Sequence, residues 1–233
     1  SEQSKKEQVA QMFDTISGNY DGLNKIISLG TDANWKKKIL QMVKLQNPTT
    51  ILDVATGTGD LAILFADTSA TEIIGLDISQ GMLDIGKKKI EAKNFESKIQ
   101  MVLGDGEKIP YSDNYFDVIT VAYGVRNFEN LEKGLSEILR VLKPNGLFII
   151  LETSVPTKFP FKQGYYVYTN FIMPTIGKLF SKDKAAYKYL SNSAQNFPFG
   201  EALNNILRKI GFIDVKDFPQ TMGVATIYKA SKK

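Results

Sequence analysis

Glycines and carboxylates at three places in the chain could act together on a nucleotide-like ligand. Gly57 and Gly59 lie in residues 51–60, directly after a short apolar run that predicts a buried strand. Glycines let the backbone turn sharply and approach a ligand closely, because no Cβ stands in the way. Asp77 and Asp105 end or follow the next two apolar runs. This spacing predicts a ligand crevice at the carboxyl ends of parallel strands.

The glycine loop alone is compatible with two kinds of cofactor. Gly57, Gly59 and Ala62 match the dinucleotide fingerprint G-x-G-x-x-G/A, so the loop would suit NAD. Asp53, however, lies in the first strand, just ahead of the turn. A pyrophosphate favours bare N–H groups and a helix dipole, whereas a sulfonium cation with an amino-acid tail tolerates a carboxylate nearby. The position of this acid therefore favours S-adenosylmethionine.

The two downstream acids suit the same cofactor. Asp77 follows the glycines by about twenty residues, the spacing at which a carboxylate accepts hydrogen bonds from both ribose hydroxyls. The acidic loop that carries Asp105 and Gly106 could hold an adenine amino group. The alternative interpretation is an α/β domain with ordinary polar loops, and it requires these spacings to coincide by chance.

The composition excludes several kinds of chemistry. The 233 residues include no cysteine and no histidine, so we predict no disulfide, no thiolate nucleophile and no metal site. Proton transfer must then depend on Asp, Glu, Tyr, Lys or water. The net charge of +4 does not come from one basic block, which disfavours nucleic-acid binding.

Length and hydropathy predict one cytoplasmic domain. The chain is long enough for a full core, and no apolar run approaches the roughly 18 to 20 residues of a membrane-spanning helix. The charged and polar residues 1–8 do not resemble a secretory signal peptide.

Alternating strands and helices must position the site residues. From residue 50 to 152 the pattern alternates, which predicts a parallel sheet with right-handed crossovers. A turn at Pro144, Asn145 and Gly146 is expected before the fifth strand. We expect strands at 51–55, 71–77, 99–103, 116–122, 147–152, 212–217 and 223–229, and helices at 5–18, 35–43, 61–65, 82–93, 131–142 and 201–210.

Two segments fall outside this alternation within the single domain of residues 1–233. Residues 1–48 are predicted to form a helical amino-terminal cap. Residues 157–198 are predicted to form a helical insertion on the substrate side, after the fifth strand. The insertion is aromatic and apolar in residues 159–181, and prolines and glycines interrupt it.

Several motifs resemble the quinone C-methyltransferases of menaquinone and ubiquinone synthesis, a family of class I S-adenosylmethionine-dependent methyltransferases. Residues 53–60 (DVATGTGD) resemble a motif that many methyltransferases share, whereas 124–127 (GVRN) and 186–190 (AYKYL) are far narrower. The resemblance covers nearly the whole chain. Other matching residues are Phe13, Asp14, Tyr20, Asp21, Asn24, Ser28, Leu29, Gly30, Trp35, Gly75 to Ser79, Gly81 to Leu83, Arg140 to Pro144, Leu151, Glu152, Ser154, Pro156, Ser193, Phe197 and Pro198.

The resemblance implies a fold and a cofactor site. The fold is α/β, with a seven-stranded, mostly parallel, Rossmann-like methyltransferase sheet and helices on both faces. The cofactor is S-adenosyl-L-methionine, and similarity to the family implies contacts from Thr58, Asp77, Asp105 and Gly106. Together with the loop residues, the predicted cofactor-binding set is Asp53, Gly57, Thr58, Gly59, Asp77, Ile78, Asp105 and Gly106.

The resemblance also implies a reaction, the C-methylation of a reduced prenylated quinone. Residues 122–127 (AYGVRN) look more like the members that act only on menaquinone precursors, which favours demethylmenaquinol as the substrate and menaquinol as the product, the last step of menaquinone biosynthesis. A quinone ring is electron-poor, so the acceptor should be the quinol, whose deprotonated hydroxyl pushes electron density onto the ring carbon.

Four residues are candidates for the proton step: Tyr20, Asp21, Arg126 and Asn127. Arg126 could stabilise a phenolate or orient a water molecule, and Asn127 could hold an oxygen, but arginine itself stays protonated. Each candidate has a structural alternative. Arg126 could tie its loop to a carboxylate, and Tyr20 could simply cover the cofactor.

The predicted partners follow from the lipophilic quinol substrate. Aromatic residues in 159–184 stand beside Lys158, Lys162, Lys178, Lys182 and Lys184, a composition that suits the inner face of a membrane. Ordinary packing over the substrate is the rival interpretation of this segment. A homo-oligomer is left open.

Three other functions are kept as alternatives. These are an O- or N-methyltransferase for small molecules, a non-catalytic scaffold that binds S-adenosylmethionine and, last, an NAD dehydrogenase.

Overall fold

A seven-stranded sheet with the order β3-β2-β1-β4-β5-β7-β6 forms the centre of the protein in the computed structural model. The structure describes residues 4–22, 28, 30–168, 189, 193–194 and 196–233. The strands are β1 (Thr50–Val54), β2 (Glu72–Asp77), β3 (Ile99–Leu103), β4 (Phe116–Ala122), β5 (Leu142–Thr153), β6 (Ile213–Gln220) and β7 (Ala225–Ser231). In the described part of the chain, β7 runs in the opposite direction to the other six strands. The predicted fold class is confirmed.

Helices connect the strands at the places that the sequence indicates. Their bounds are α1 (Lys5–Ile16), α2 (Asp32–Lys44), α3 (Asp60–Leu64), α4 (Gln80–Glu91), α5 (Leu131–Val141), α6 (Phe161–Val167) and α7 (Glu201–Ile210). A capping box between Ser4 and Glu7 fixes the start of α1. The hydroxyl of Ser79 accepts from the backbone N–H of Met82 at the start of α4. Asn24, Leu29 and most of residues 169–192, which include 186–188, lie outside the described residues.

The central strands are buried on both faces, which explains their nearly continuous apolar sequence. Along β1, Ile51 packs into one core with α2, α3 and α4, whereas Leu52 packs into a second core with α5 and α7. The same alternation applies to Ile73 and Ile74 of β2. The crossover helices therefore lie on both faces, so the carboxyl ends of β1 to β5 meet along one edge.

The fifth strand begins earlier than the sequence predicts. The turn residues Pro144, Asn145 and Gly146 lie within β5, which pairs Leu142 with Phe116 before its register shifts. Asn145 takes a positive φ of 61°, a conformation that asparagine tolerates. The expected turn is therefore an irregularity inside a strand. Among the described residues, none of the helices is both long enough and apolar enough to span a bilayer.

Candidate active site

A cavity opens at the carboxyl edge of the sheet, where the loops after β1, β2, β3 and β4 meet. Helix α1 forms the opposite wall of this cavity, which we call the edge cavity. It is narrow, with a volume of about 60 Å³. Its lining residues are Lys6, Val9, Phe13, Tyr20, Val54, Ala55, Gly57, Leu76, Asp77, Ile78, Met82, Gly104, Asp105, Gly106, Glu107, Ala122, Tyr123, Gly124, Asn127 and Phe128.

Asp77 links the second strand to the glycine loop. One carboxylate oxygen accepts a hydrogen bond from the backbone N–H of Gly57 at 2.8 Å, and the other accepts from that of Ser79 at 2.9 Å. Burial raises the pKa of Asp77, and these two N–H groups oppose the effect. Each oxygen keeps further acceptor capacity. The carboxylate is therefore fixed at the cavity wall and can still accept from ligand hydroxyls.

Two glycines bring the backbone close to the space of the cavity. Gly57 has a positive φ of 57°, which residues with a side chain rarely adopt. A Cβ on Gly106 would meet the ring of Phe128 at 2.8 Å and Val54 at 2.9 Å. At both positions a side chain would distort the cavity wall.

Asp53 lies behind the glycine loop and does not line the edge cavity. Its carboxylate accepts from the hydroxyl of Thr56 at 2.6 Å and from that of Thr120 at 2.6 Å. Only 1% of the residue is exposed, and this burial raises its pKa to about 6, against the effect of the two hydroxyls. Asp53 therefore holds the end of β1 to β4, and any effect on a ligand passes through the loop.

The raised pKa of Asp53 makes stability depend on pH. Because the folded protein binds this proton more tightly than the unfolded chain, the contribution of Asp53 becomes less favourable as pH rises from about 4 to 6. Between pH 4.5 and 7 this amounts to about 2 kcal/mol. We expect the free energy of unfolding of Asp53→Asn, relative to that of the unmodified protein, to rise by this amount between about pH 4.5 and 7. Urea unfolding of both proteins at both pH values measures the rise. A difference in stability between the two proteins that is the same at about pH 4.5 and at pH 7 would contradict the raised pKa of Asp53.

Helix α1 is tied across the mouth of the edge cavity. Lys6 forms a 2.5 Å ion pair with Asp105, and Lys5 donates to the backbone oxygen of Phe128 at 2.7 Å. At the other end of the helix, one oxygen of Asp14 accepts from the hydroxyl of Ser79 and from the N–H of Gly81. These contacts hold α1 over the cavity, so we expect α1 to shift when a nucleoside binds.

Asp21 and Thr58 lie next to the cavity rather than in its lining. The hydroxyl of Thr58 donates to Asp21 at 2.7 Å, and Lys89 donates to both of them and to Asp60. Gly59, with a φ of 80°, precedes α3 and is also absent from the lining. In this conformation Asp21 fixes the amino-terminal cap to the glycine loop, and its carboxylate is engaged there.

Arg126 and Asn127 follow β4 in the turn Val125–Asn127. Arg126 forms an ion pair with Glu152, and both side chains are almost fully buried. Asn127 lines the edge cavity and accepts a hydrogen bond from the hydroxyl of Tyr189 at 3.3 Å. Tyr20 lies in the wall of the same cavity, with its ring edge-on to Phe13.

A second cavity, of about 470 Å³, lies on the other side of this turn. Arg126 and Phe128 belong to its wall together with Tyr189 and Phe197, so it lies beside the edge cavity, which also contacts Phe128. We call it the side cavity. Arg126 in the wall of the side cavity and Asn127 in the wall of the edge cavity are neighbours in one turn, so the two cavities lie on either side of it.

Sequence reasoning missed two residues at this site. Glu152 is the penultimate residue of β5, at the same edge of the sheet where Asp77 ends β2, so its position near a strand end was the available signal. Lys6 shows no such signal, because its contact with Asp105 spans 99 residues and depends on the docking of α1.

The protein is similar over nearly its whole length to proteins that are named as methyltransferases. A model of the ubiE/COQ5 methyltransferase family matches residues 1–232. The demethylmenaquinone methyltransferase of Bacteroides fragilis is 45% identical over 98% of this chain and 94% of its own. The ubiquinone/menaquinone biosynthesis C-methyltransferase UbiE of Geotalea daltonii is 40% identical over 98% of this chain and 97% of its own.

A solved structure shows the same fold at low identity. A SAM-dependent methyltransferase from Aquifex aeolicus superposes with a TM-score of 0.61 at 18% identity, covering 84% of this chain and 88% of that one. This likeness concerns the fold alone, whereas the family match covers the site residues after β1, β2, β3 and β4. The chain therefore belongs to the ubiE/COQ5 methyltransferase family.

Proposed function

We infer that the protein is an S-adenosyl-L-methionine-dependent methyltransferase that converts demethylmenaquinol to menaquinol by methylating a ring carbon. The observation that carries this inference is the similarity, across nearly the whole chain, to the two relatives above. One is named as a methyltransferase of demethylmenaquinone and the other as a C-methyltransferase of ubiquinone and menaquinone biosynthesis. The acidic edge cavity supports it, together with the larger side cavity, whose wall includes the apolar residues Phe128, Leu131 and Phe197.

The lining of the edge cavity suits this cofactor. Three carboxylates, those of Asp77, Asp105 and Glu107, face it with one cation, Lys6, which is already paired. Such a lining is unfavourable for a pyrophosphate and favourable for a cationic nucleoside that carries hydroxyls. We propose that Asp77 holds the ribose and that the loop of Asp105 and Gly106 holds the adenine. When bound, the cofactor supplies an electrophilic methyl group on a sulfonium.

The glycine loop completes the proposed cofactor site. Gly57 and Ile78 lie in the cavity wall, where they would contact the cofactor directly. Asp53, Thr58 and Gly59 would act from behind this wall by fixing the course of the loop.

The residues between the two cavities have separate proposed roles in the reaction. Arg126 keeps its positive charge and stabilises a phenolate oxygen on the substrate ring. Asn127 orients a ring oxygen, and Tyr20 covers the reacting centre. Asp21 supports the loop through Thr58 and Lys89. Alignment of the ring carbon by this wall provides much of the rate acceleration.

An assay with reduced demethylmenaquinone and S-adenosylmethionine carrying a ¹³C-methyl group tests the function. We expect one labelled methyl on a ring carbon of the product. Label on oxygen, or transfer only to small phenols and amines, would indicate a different methyltransferase. Cofactor binding without any transfer would indicate a scaffold.

We propose that an exposed patch around the start of α6 contacts a lipid surface, from which the lipophilic quinol is collected. Phe159 is 80% exposed, Tyr166 64% and Val167 50%, and Lys158 and Lys162 lie beside them on the surface. Exposed aromatic and apolar side chains next to lysines favour an anionic interface. Residues 169–184, which also suggest this role, lie outside the described part.

Liposome flotation tests the lipid contact. We expect the protein to float with anionic vesicles. We expect Phe159→Ser combined with Tyr166→Ser to reduce the bound fraction about five- to tenfold, because two exposed aromatic side chains that would insert into the lipid interface are lost. Leu45→Ser is the matched control, since Leu45 is 85% exposed elsewhere on the surface. Absence of flotation with both neutral and anionic vesicles would exclude the contact.

A further inference from the structure

Tyr123, the first residue after β4, has a backbone conformation that is unusual for an aromatic residue. Its φ is 56°, in the left-handed region that bulky residues rarely adopt. Two hydrogen bonds hold the backbone there. The N–H of Tyr123 donates to the backbone oxygen of Leu151 at 2.8 Å, and its carbonyl oxygen accepts from the side-chain amide of Asn127 at 3.3 Å. Costly backbone conformations are concentrated at functional sites, so this residue calls for an explanation.

The unusual φ changes the side of the sheet on which Tyr123 packs. Successive side chains of a strand point to opposite faces, and Val121 and Ala122 follow this rule by packing into different cores. Tyr123 breaks the rule, because it packs against the same core as Ala122. The turn also lies against the end of β1, since a Cβ on Gly124 would be 2.4 Å from the Cβ of Ala55. Tyr123 is thereby placed in the wall of the edge cavity, beside the glycine loop.

The order of the strands indicates which part of the cofactor lies beside Tyr123. The sheet begins β3-β2-β1-β4, and the proposed site has the adenine after β3 and the ribose at the end of β2. In the cofactor, the ribose joins the adenine to the sulfonium. The sulfonium is therefore expected one step further along the same edge, at the ends of β1 and β4, where Gly57 and Tyr123 line the cavity. This step rests on the proposed function.

The cavity wall carries its carboxylates at the other end. Among the described lining residues, the three acids Asp77, Asp105 and Glu107 end or follow β2 and β3, and the loops after β1 and β4 contribute none. An aromatic ring can recognise a cation in place of a carboxylate, because the face of its π system is negative. Burial raises the pKa of Tyr123 well above its usual value, so the ring is a neutral phenol near neutral pH.

The ring of Tyr123 already lies close to one cation. The guanidinium carbon of Arg126 is 6.0 Å from the ring centroid, at the limit of a cation–π contact. Glu152 pairs with this guanidinium and compensates its charge. The one cation among the described lining residues of the edge cavity, Lys6, is likewise paired. A sulfonium beside Tyr123 is therefore not opposed by an unpaired positive charge from these residues.

We propose that the ring of Tyr123 recognises the positive charge of the cofactor. It thereby distinguishes S-adenosylmethionine from the demethylated product, S-adenosylhomocysteine, which carries a neutral thioether. The left-handed turn after β4 serves to place the ring at this point of the wall. Once the methyl group has left, the attraction to the ring is lost, which favours release of the product.

The ratio of the affinities for the two ligands tests this role. Isothermal titration calorimetry gives the dissociation constants of S-adenosylmethionine and S-adenosylhomocysteine for each protein. We expect Tyr123→Leu to lower the relative affinity for S-adenosylmethionine about five- to thirtyfold, the factor that corresponds to a desolvated cation–π contact. Tyr123→Phe should keep the ratio within about twofold, because the π face is retained. A residue that only supports the wall would weaken both ligands equally and leave the ratio unchanged.

Tyr115→Leu is the matched control for the loss of a tyrosine ring. Tyr115 directly precedes β4, at the opposite end of the same strand, and its hydroxyl donates to Glu72. It lines neither the edge cavity nor the side cavity, so we expect an unchanged ratio.

A second measurement keeps the shape of the ring and does not depend on whether leucine is tolerated. Phenylalanine and its forms with one, two or three ring fluorine atoms are placed at position 123. We expect the relative affinity for S-adenosylmethionine to fall stepwise along this series, because each fluorine atom weakens the negative π face.

The outcomes separate this inference from the proposed function. An unchanged ratio in Tyr123→Leu, or a ratio that does not respond to fluorination, would overturn the role of Tyr123 and leave the function intact. A ratio that falls as far in Tyr115→Leu as in Tyr123→Leu would also contradict a contact at the cavity. Failure of the unmodified protein to bind either ligand would overturn the cofactor site itself.

Discussion

Replacement of Asp77 with alanine will weaken S-adenosylmethionine binding by a factor on the order of 100 to 1,000. The carboxylate lies in the wall of the edge cavity and is held there by the backbone of Gly57 and Ser79. Each hydrogen bond between a hydroxyl and a charged group contributes about 1.5–3 kcal/mol, and a ribose presents two hydroxyls. Loss of the contact to Gly57 also releases the glycine loop. Isothermal titration calorimetry measures the change directly.

A matched control separates cofactor contact from a general loss of charge. Asp84 lies on α4 with its side chain 56% exposed, so Asp84→Ala should leave the dissociation constant unchanged. Asp77→Asn keeps the shape but loses the charge, and we expect intermediate affinity. Equal affinity in Asp77→Ala and the unmodified protein, with both folded, would show that the ribose binds elsewhere.

Replacement of Arg126 with methionine will destabilise the protein by about 3–5 kcal/mol, because the Glu152 carboxylate is then left buried without its cation. Burial alone would lower the pKa of Arg126, but the adjacent Glu152 outweighs this and raises it. The two groups therefore depend on each other for their charged forms. We expect the double variant Arg126→Met with Glu152→Gln to regain much of the lost stability. Urea unfolding of the two single variants and the double variant gives the coupling energy.

The exposed ion pair of Arg208 and Glu201 provides the comparison for this double-mutant cycle of Arg126 and Glu152. Their side chains are 45% and 66% exposed, so Arg208→Met should cost less than about 1 kcal/mol. Additive effects at Arg126 and Glu152 would contradict a buried ion pair between them. The Arg126→Met protein should also lose methyl transfer, and it is assayed below its own unfolding temperature.

Much of the fold follows from periodicity and from the chemistry of strand ends. The apolar runs from β1 to β4 alternate with helical periods, and only right-handed crossovers between parallel strands satisfy that order. Because all the carboxyl ends then lie on one edge, Asp77 and Asp105 had to approach the glycine loop. Their placement in the wall of the edge cavity is therefore predictable without tertiary detail.

Contacts between distant segments were not predictable in the same way. The sequence places Asp53 in a strand but does not say that Thr120, on the neighbouring strand, occupies its second oxygen. Asp21 resembles a candidate for proton transfer until Lys89 and Thr58 are seen to engage it. The first interaction depends on the pairing register of β1 and β4, and the second on how the residues after α1 and those of α4 dock onto the sheet; the local pattern encodes neither.

The pair of Arg126 and Glu152 illustrates the same limit for function. Both positions belong to motifs that resemble the family, but their 26-residue separation conceals that they meet. Their contact through one hydrogen bond, and the two atoms left unused, depend on the positions of individual side-chain atoms. The sequence could point to Arg126 for charge, and the structure adds the carboxylate beside it.

A crystal structure of the protein soaked with S-adenosylmethionine tests the proposed cofactor site. We expect a nucleoside at the carboxyl ends of β1, β2 and β3, with its ribose hydroxyls on Asp77, its adenine near Asp105, and α1 moved from the mouth of the cavity. An edge cavity without density at saturating cofactor, or a nucleoside bound at another place on the sheet, would contradict it.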